Sequence, residues 1–278
     1  MLETFSHYAR AVNAENVKEW RIELSYRVDF VRGMLEPLIY VLPFLLYGIA
    51  ITGGRFSENL LKLTGTGDMI TYTVIGYLFM GFLNTAVWGM GYALRKEQFY
   101  GTLESIFVAP VPRWVYVLGM AFHSTFHQSL IIGFQIILIY GIFGLYLKIS
   151  GLLPSLLIVA VMMLALYGLG IMVSALTLIF KEGWIVSEIL HSVITIVTPI
   201  AYPLAVLPTF LQKLSTAFPT TYGILGIRHY LMGEVIGFSI FEIFSRMILL
   251  AILWIGFGLF IFNIVDRKVR REGTLGEY

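Results

Sequence analysis

A few polar side chains stand out because long apolar runs surround them. His123 and His127 are four residues apart with Gln128 beside them, Glu188 and His191 are three apart, and Asn84 stands alone. On a helix, spacings of three and four place side chains on one face. Such sets suit metal ligation, proton transfer or hydrogen bonding to a polar group. A His pair at i, i+4 ligates zinc in the H-E-x-x-H arrangement, where the intervening Glu is the base. Here the run reads H-S-T-F-H, and the whole chain has 5 His and no Cys. A bound metal is therefore not expected, and thiolate sites and disulfides are excluded. G-x-S-x-G, the nucleophile-elbow pattern, is also missing. What remains is hydrogen bonding, either to a passing polar group or between helices.

The elements that position these residues follow from composition. The 278 residues are 58% hydrophobic and 13% charged, with a mean hydropathy of +0.82. Soluble domains carry about 25% charged residues. The apolar residues form long continuous runs rather than the short alternating segments of a membrane barrel. The chain reads as an all-α integral membrane protein, each span needing about 20 apolar residues. A net charge of +2 points to no nucleic-acid partner. Residues 1–33 mix five basic with five acidic side chains, and a secretory leader is not expected there.

Six spans are expected, at about 34–52, 69–94, 114–147, 153–180, 185–206 and 245–265. Residues 1–33 form a cytoplasmic N-terminal segment, 34–265 the transmembrane domain and 266–278 a cytoplasmic tail. An even number of spans puts both termini on one side. With the termini inside, 13 of the 19 basic residues are cytoplasmic, among them Arg95, Lys96, Arg113, Lys181 and Arg267. The positive-inside rule favours that orientation.

Three segments do not span. In residues 15–32, Trp20, Leu24, Val28 and Val31 share a helical face opposite charged residues, as in a helix lying in the membrane interface. Residues 207–244 are apolar but broken by Pro208, Pro219 and four glycines. They read as short helices that dip into the outer leaflet and return, which requires burial in protein or a wet cavity. Near span six, Glu242 and Arg246 are spaced to pair.

The third segment, "RKEQFYGTLESIFVAPVPR" at 95–113, separates two spans on the cytoplasmic side. Gly101 breaks a helix, Thr102 is placed to cap the next, and Glu104 sits near its positive end. Leu103, Ile106 and Phe107 share one face, and Pro110 and Pro112 stop the helix before Arg113. The product is a short amphipathic helix with too few apolar residues to anchor in lipid, which suits either a partner's groove or an interfacial loop.

The run Glu97-x-x-x-Gly101-Thr102-Leu103-Glu104, with Pro110 and Arg113 following, resembles the first cytoplasmic loop of ABC-2 type transporter permeases. "AYPLAVLP" (Ala201–Pro208) resembles that family's exit from span five, and "FPTTYGILGIRHYLMG" (Phe218–Gly233) its stretch before span six. Ala109, Pro112 and Phe218 depart from the usual residues. The resemblance implies a six-span subunit that dimerises, as a homodimer or with a related permease, around a translocation path in a prokaryotic plasma membrane. It implies two separate cytoplasmic ABC ATPase subunits carrying ATP and Mg, and membrane lipid as surroundings. Glu97, Gly101, Thr102, Leu103, Glu104, Ile106, Phe107, Pro110 and Arg113 would form the coupling helix, with Lys181 and Glu182 as a second contact. Consistently, no Gly is followed by Lys anywhere, so the phosphate loop G-x-x-x-x-G-K-[ST] is missing. The chain is thus not expected to be an enzyme.

Within that frame Asn84, His123, His127, Gln128, Glu188 and His191 form a candidate polar band along the inner half of the substrate path, or else bind helices to one another. Tyr202, Pro203, Pro208, Pro219, Tyr222 and Arg228, with Lys213 and His229 nearby, mark a candidate exit region, an interfacial aromatic belt being the plainer reading. The mostly apolar walls suggest an amphipathic cargo: a drug, a lipid or a lipid-linked glycan. A secondary transporter would show internal repeats and acids at the bilayer centre, and a membrane-embedded enzyme a cluster of catalytic ligands; the sequence displays neither.

Overall fold

The computed structural model describes residues 2–180 and 182–272. Its elements are helices: α1 (Leu2–Ser25), α2 (Arg27–Thr52), α3 (Glu58–Thr64), α4 (Met69–Asn84), α5 (Ala93–Phe99), α6 (Leu103–Val108), α7 (Arg113–Phe143), α8 (Leu152–Ile179), α9 (Gly183–Val197), α10 (Thr209–Ser215), α11 (Pro219–Met232) and α12 (Ile240–Glu272). Among the described residues the only strand-like pairing is one isolated bridge, Phe56 to Asp68.

Five helical stretches are long and apolar enough to cross a bilayer: Arg27–Thr52, Met69–Met90, Arg113–Phe143, Ile149–Ile179 and Ile240–Val269. The expected fifth span is a shorter helix, α9, of 15 residues. It stops at Val197 because Pro199 pushes Thr198 to extended backbone, ψ 135°. Span two is not one α-helix either. After Asn84 it widens into a π-helical turn, Thr85–Met90, a feature that often marks functional sites. The last helix runs on to Glu272, so the first residues of the expected tail, from 266, are helical.

The N-terminal segment also differs from expectation. The stretch 15–32 is divided at Tyr26, where α1 ends and α2 begins. Trp20 packs edge-on against His123, Phe126 and His127 of α7, with ring centroids 4.8, 5.9 and 6.0 Å away. The helical period placed Trp20 and Leu24 on one apolar face; Trp20 packs on α7, while Leu24 is exposed. Val28 and Val31, now on α2, are exposed.

The core centres on α8, against which α12, α11 and the π-helical turn pack. Glycines set the α8–α12 crossing. A Cβ on Gly168 would fall 2.3 Å from Ile255 N, and one on Gly258 would fall 2.1 Å from Gly168 O. Two backbones in contact are the usual way membrane helices gain van der Waals area. On the expected outer side, Arg55 ties two loops together. It pairs with Asp68 at 2.8 Å and donates to the carbonyl of Phe143 at the end of α7, at 2.6 Å. The expected Glu242–Arg246 pair is replaced by two other contacts. Ser239 and Glu242 form a reciprocal capping box at the start of α12. Arg246 instead donates to the Tyr222 hydroxyl at 3.2 Å.

Candidate functional site

The segment 95–113 is built around Glu97. Its carboxylate is buried and accepts hydrogen bonds from Lys18 Nζ at 2.9 Å, from Tyr116 Oη at 2.8 Å and from the Thr102 hydroxyl. Thr102 therefore does not cap α6 with its side chain, as its type suggested; the carboxylate five residues back takes its hydroxyl. Gly101, at φ +71°, makes the turn that allows this. Glu104 sits in the first turn of α6 as the dipole favours.

Lys18 is the counter-charge of the cluster. Its ammonium lies 2.9 Å from Glu15, 3.4 Å from Glu19 and 2.9 Å from Glu97. These three buried carboxylates have oxygens within 4.8 Å of one another, close enough to hold a cation, and the ammonium takes that role. Lys96 adds a second contact to Glu19 at 2.7 Å. Burial alone would raise the pKa of Glu97, but the Lys18, Thr102 and Tyr116 hydrogen bonds outweigh it and hold it below the ordinary value. Burial keeps Glu15 above its ordinary value. For Lys18 burial acts downward, and the bonds to Glu97 and Glu15 more than reverse it.

The apolar face of α6 points inward. Leu103 is 2% exposed, in a cluster with Met90, Leu94, Val117, Ile171 and Phe262. Phe107 is half-buried beneath the Arg113 guanidinium, 4.7 Å from its ring centre, and Arg113 also donates to the Phe107 carbonyl at 2.9 Å. Ile106 is half-buried. Leu103, expected to face a partner, faces the protein's own helices α5, α7, α8 and α12. Tyr100, Glu104, Val108 and Pro110 are exposed, Val108 at 85%. Glu182 is exposed at the start of α9, and Lys181 lies outside the described residues.

The expected polar band divides. His123 and His127 stack with ring centroids 6.1 Å apart and nearly parallel, and both turn Nε2 toward one carboxylate, Glu23, at 3.1 and 3.7 Å. They line a cavity of about 320 Å³ with Glu19, Glu23, Asn84 and Gln128. A larger cavity of about 750 Å³ lies between α2, α4, α7 and α9 and is lined by Asn84, Gln128, His191 and Tyr202, among others. Asn84 and Gln128 border both. Gly81 makes room for Gln128, whose Nε2 would be 2.2 Å from a Cβ there. Glu188 borders neither cavity; it is exposed and accepts from Ser192.

The expected exit residues differ in burial. Pro219, Tyr222 and Arg228 are buried, Tyr202 and Pro203 half-buried, and Pro208 exposed. Lys213 is exposed, and the His229 ring bonds the Glu234 carbonyl. Arg228 is wholly buried. It donates to the carbonyls of Tyr72, at 2.9 and 3.1 Å, of Pro199, at 2.6 Å, and of Ile200, and its guanidinium lies 3.5 Å from the centre of the Tyr72 ring. The carbonyls of Pro199 and Ile200 are among those that the end of α9 leaves without helical partners. Gly76 is required beside them, since a Cβ there would meet Ile200 O at 1.9 Å. The Tyr72 hydroxyl reaches Glu234, 3.4 Å away, which burial pushes up to about 7.

Glu15, Glu19 and Glu23 on α1 and Glu234 were not singled out by sequence reasoning. The first three recur every fourth residue. That is the signal of an acidic stripe, but it reads equally as a solvated helix face until a basic partner is known.

A search of curated proteins finds no match to this chain. A family model described as ABC-2 type transporter matches residues 12–232. That match takes in α1 from its middle, the Glu97 cluster, both cavities and the whole of α11. The chain belongs to the ABC-2 type transporter family and is a multi-pass membrane component of an ABC transporter.

Proposed function

We propose that the chain is the permease subunit of an ATP-driven exporter, working as a dimer with two separate cytoplasmic ATPase chains that carry ATP and Mg. Both termini lie in the cytoplasm, and α9 with the residues after it is the fifth of six spans. A helix of 15 residues rises only about 22 Å, so irregular backbone must complete the crossing. Irregular backbone at membrane depth has to be satisfied by protein, and Arg228 does this for Pro199 and Ile200. Helices α10 and α11 then dip in from the outer side and return. The cargo is amphipathic and passes the cavity bordered by Asn84, Gln128 and His191.

The observation that carries the reading is the two-sided mounting of residues 97–113. One side is fixed to α1, α7 and the core through Glu97, Leu103 and Arg113, while Tyr100, Glu104 and Val108 are left exposed. A push on the exposed tip reaches the body through charged and packed contacts. Two conformations of the path, differing in affinity for cargo, would complete the cycle. The test is co-purification with an ATPase that carries a phosphate-binding loop. E104K and V108D should lose the ATPase or its stimulation by the permease while the permease still folds. Undiminished association and turnover in both variants would refute this docking face.

A further inference from the structure

The cavity of about 750 Å³ has a lopsided chemistry. Glu36 is its only carboxylate, His191 is the only other ionisable group in its lining apart from tyrosines, and no described Lys or Arg lines it. The rings of Tyr40, Phe44, Tyr77 and Tyr202 supply much of the wall, Phe44 and Tyr77 lying 5.0 Å apart. Glu36 sits within α2, a helix long enough to span, and an ionisable group in such a helix is a functional candidate by default. Its one ion pair is long: Arg32, one helical turn away and not among the residues lining the cavity, is 3.9 Å from it, and Tyr40 donates at 3.4 Å.

An anion entering this space would leave water, find no Lys or Arg in the lining and face Glu36, which is costly. A cation would find a carboxylate and aromatic faces, both attractive to it. Helix α2, which lines one side of the cavity, is the least buried of the five long apolar helices, so entry from the bilayer passes along it. Resting on the export reading above, we infer that this cavity takes an amphipathic organic cation. Its onium or ammonium centre would sit at Glu36 and its apolar bulk between Phe44 and Tyr77.

Tetraphenylphosphonium and tetraphenylborate have nearly the same shape and opposite charge, so they separate charge from size. Radiolabelled forms of each would be titrated onto the full-length chain in zwitterionic nanodiscs, with and without the ATPase. Saturable binding of the phosphonium is expected, at least about tenfold tighter than the borate, a difference of about 1.4 kcal/mol. E36Q should weaken the phosphonium by a similar factor, E36K should invert the preference, and R32Q should strengthen the phosphonium. Borate binding as tight as the phosphonium, or phosphonium binding untouched by E36Q, would overturn the inference. So would a change of oligomeric state in E36Q with no change in phosphonium affinity, because α2 would then be covered by a second copy. Absence of probe binding beside intact ATPase stimulation removes the cation site and leaves the exporter reading. Glu36-dependent binding without any ATPase association does the reverse.

Discussion

Lys18 Nζ and Glu97 Oε1 are 2.9 Å apart although 79 residues separate them in the chain. That ion pair, together with Lys96 and Glu19 at 2.7 Å, links the N-terminal helix to the segment proposed to meet the ATPase. The Lys18 ammonium also serves Glu15 and Glu19, so Lys18 and Glu97 are not equivalent. Removing Lys18 leaves three buried carboxylates facing one another. Replacing Glu97 by Gln leaves an amide that still accepts from Tyr116.

K18M should therefore destabilise the protein more than E97Q. Hydrogen bonds to charged groups are worth about 1.5–3 kcal/mol, and Lys18 is 37% exposed, so E97Q belongs at or below the low end of that range. The pH dependence separates the two further. Glu97 is held below its ordinary value, so its contribution is present above the ordinary carboxylate range and is lost as pH falls through the lowered value. In K18M the carboxylates lose that counter-charge and their pKa values rise, so acid stabilises this variant. Thermal unfolding of wild type and K18M between pH 5 and 8, followed by tryptophan fluorescence, checks this. Parallel curves would refute the role given to Lys18.

Leu103 and Glu104 are neighbours with opposite expected effects. Leu103 is 2% exposed in a packed cluster, and truncating such a residue to Ala costs about 2–5 kcal/mol. Glu104 is exposed, and surface changes of that kind usually stay within about 0.5 kcal/mol. L103A should lower the unfolding temperature and reduce ATPase coupling only in proportion to folded protein. E104A should leave the melt unchanged and reduce ATPase coupling per folded molecule. A cold-stable L103A with selectively lost ATPase binding would place Leu103 at the partner surface instead.

Much of this was legible in the chain. Composition and long apolar runs gave the membrane class, and Gly101, Pro110 and Arg113 marked the turn, the stop and the next helix in the right places. Period alone could not say which neighbour a face meets. Trp20, Leu103 and the His123–His127 pair each lie on the face expected, yet their partners come from other helices, at separations that no local spacing encodes. Proline position was informative about where α9 ends but silent on what satisfies its carbonyls. Arg228 looked like an exit residue because a basic side chain near tyrosines is ordinary at a membrane interface; only its depth shows that it is an internal clamp.

Arg228 binds three carbonyls from two segments, Tyr72 on one and Pro199 with Ile200 on the other. R228M keeps length and apolar bulk but leaves the Pro199 and Ile200 oxygens without a donor. Each buried polar group left unsatisfied costs about 1–3 kcal/mol, so R228M should be among the most destabilising single changes. R228K restores one charge without the planar fork and should recover only part of the loss. Equal melts for R228M and wild type would remove the clamp.

Glu234 offers an independent pH signature on the expected outer side. Burial pushes it up to about 7, against an opposing pull from Arg228 and the Tyr72 hydroxyl. Its folded value is thus above its unfolded one, so the favourable contribution is the protonated form's. It is fully present below the ordinary glutamate value and is lost as pH rises through about 7. Wild-type unfolding temperature should fall between pH 5 and 8 partly for this reason. E234Q mimics the protonated carboxyl, so it should match wild type at pH 5, exceed it at pH 8 and show a flatter slope between. The facing groups Arg228 and Tyr72 are titrated far from this window in their ordinary forms, and the His229 ring bonds the Glu234 carbonyl rather than its carboxyl. A slope unchanged by E234Q would therefore assign the pH dependence to another group and leave Glu234 ionised in the folded protein.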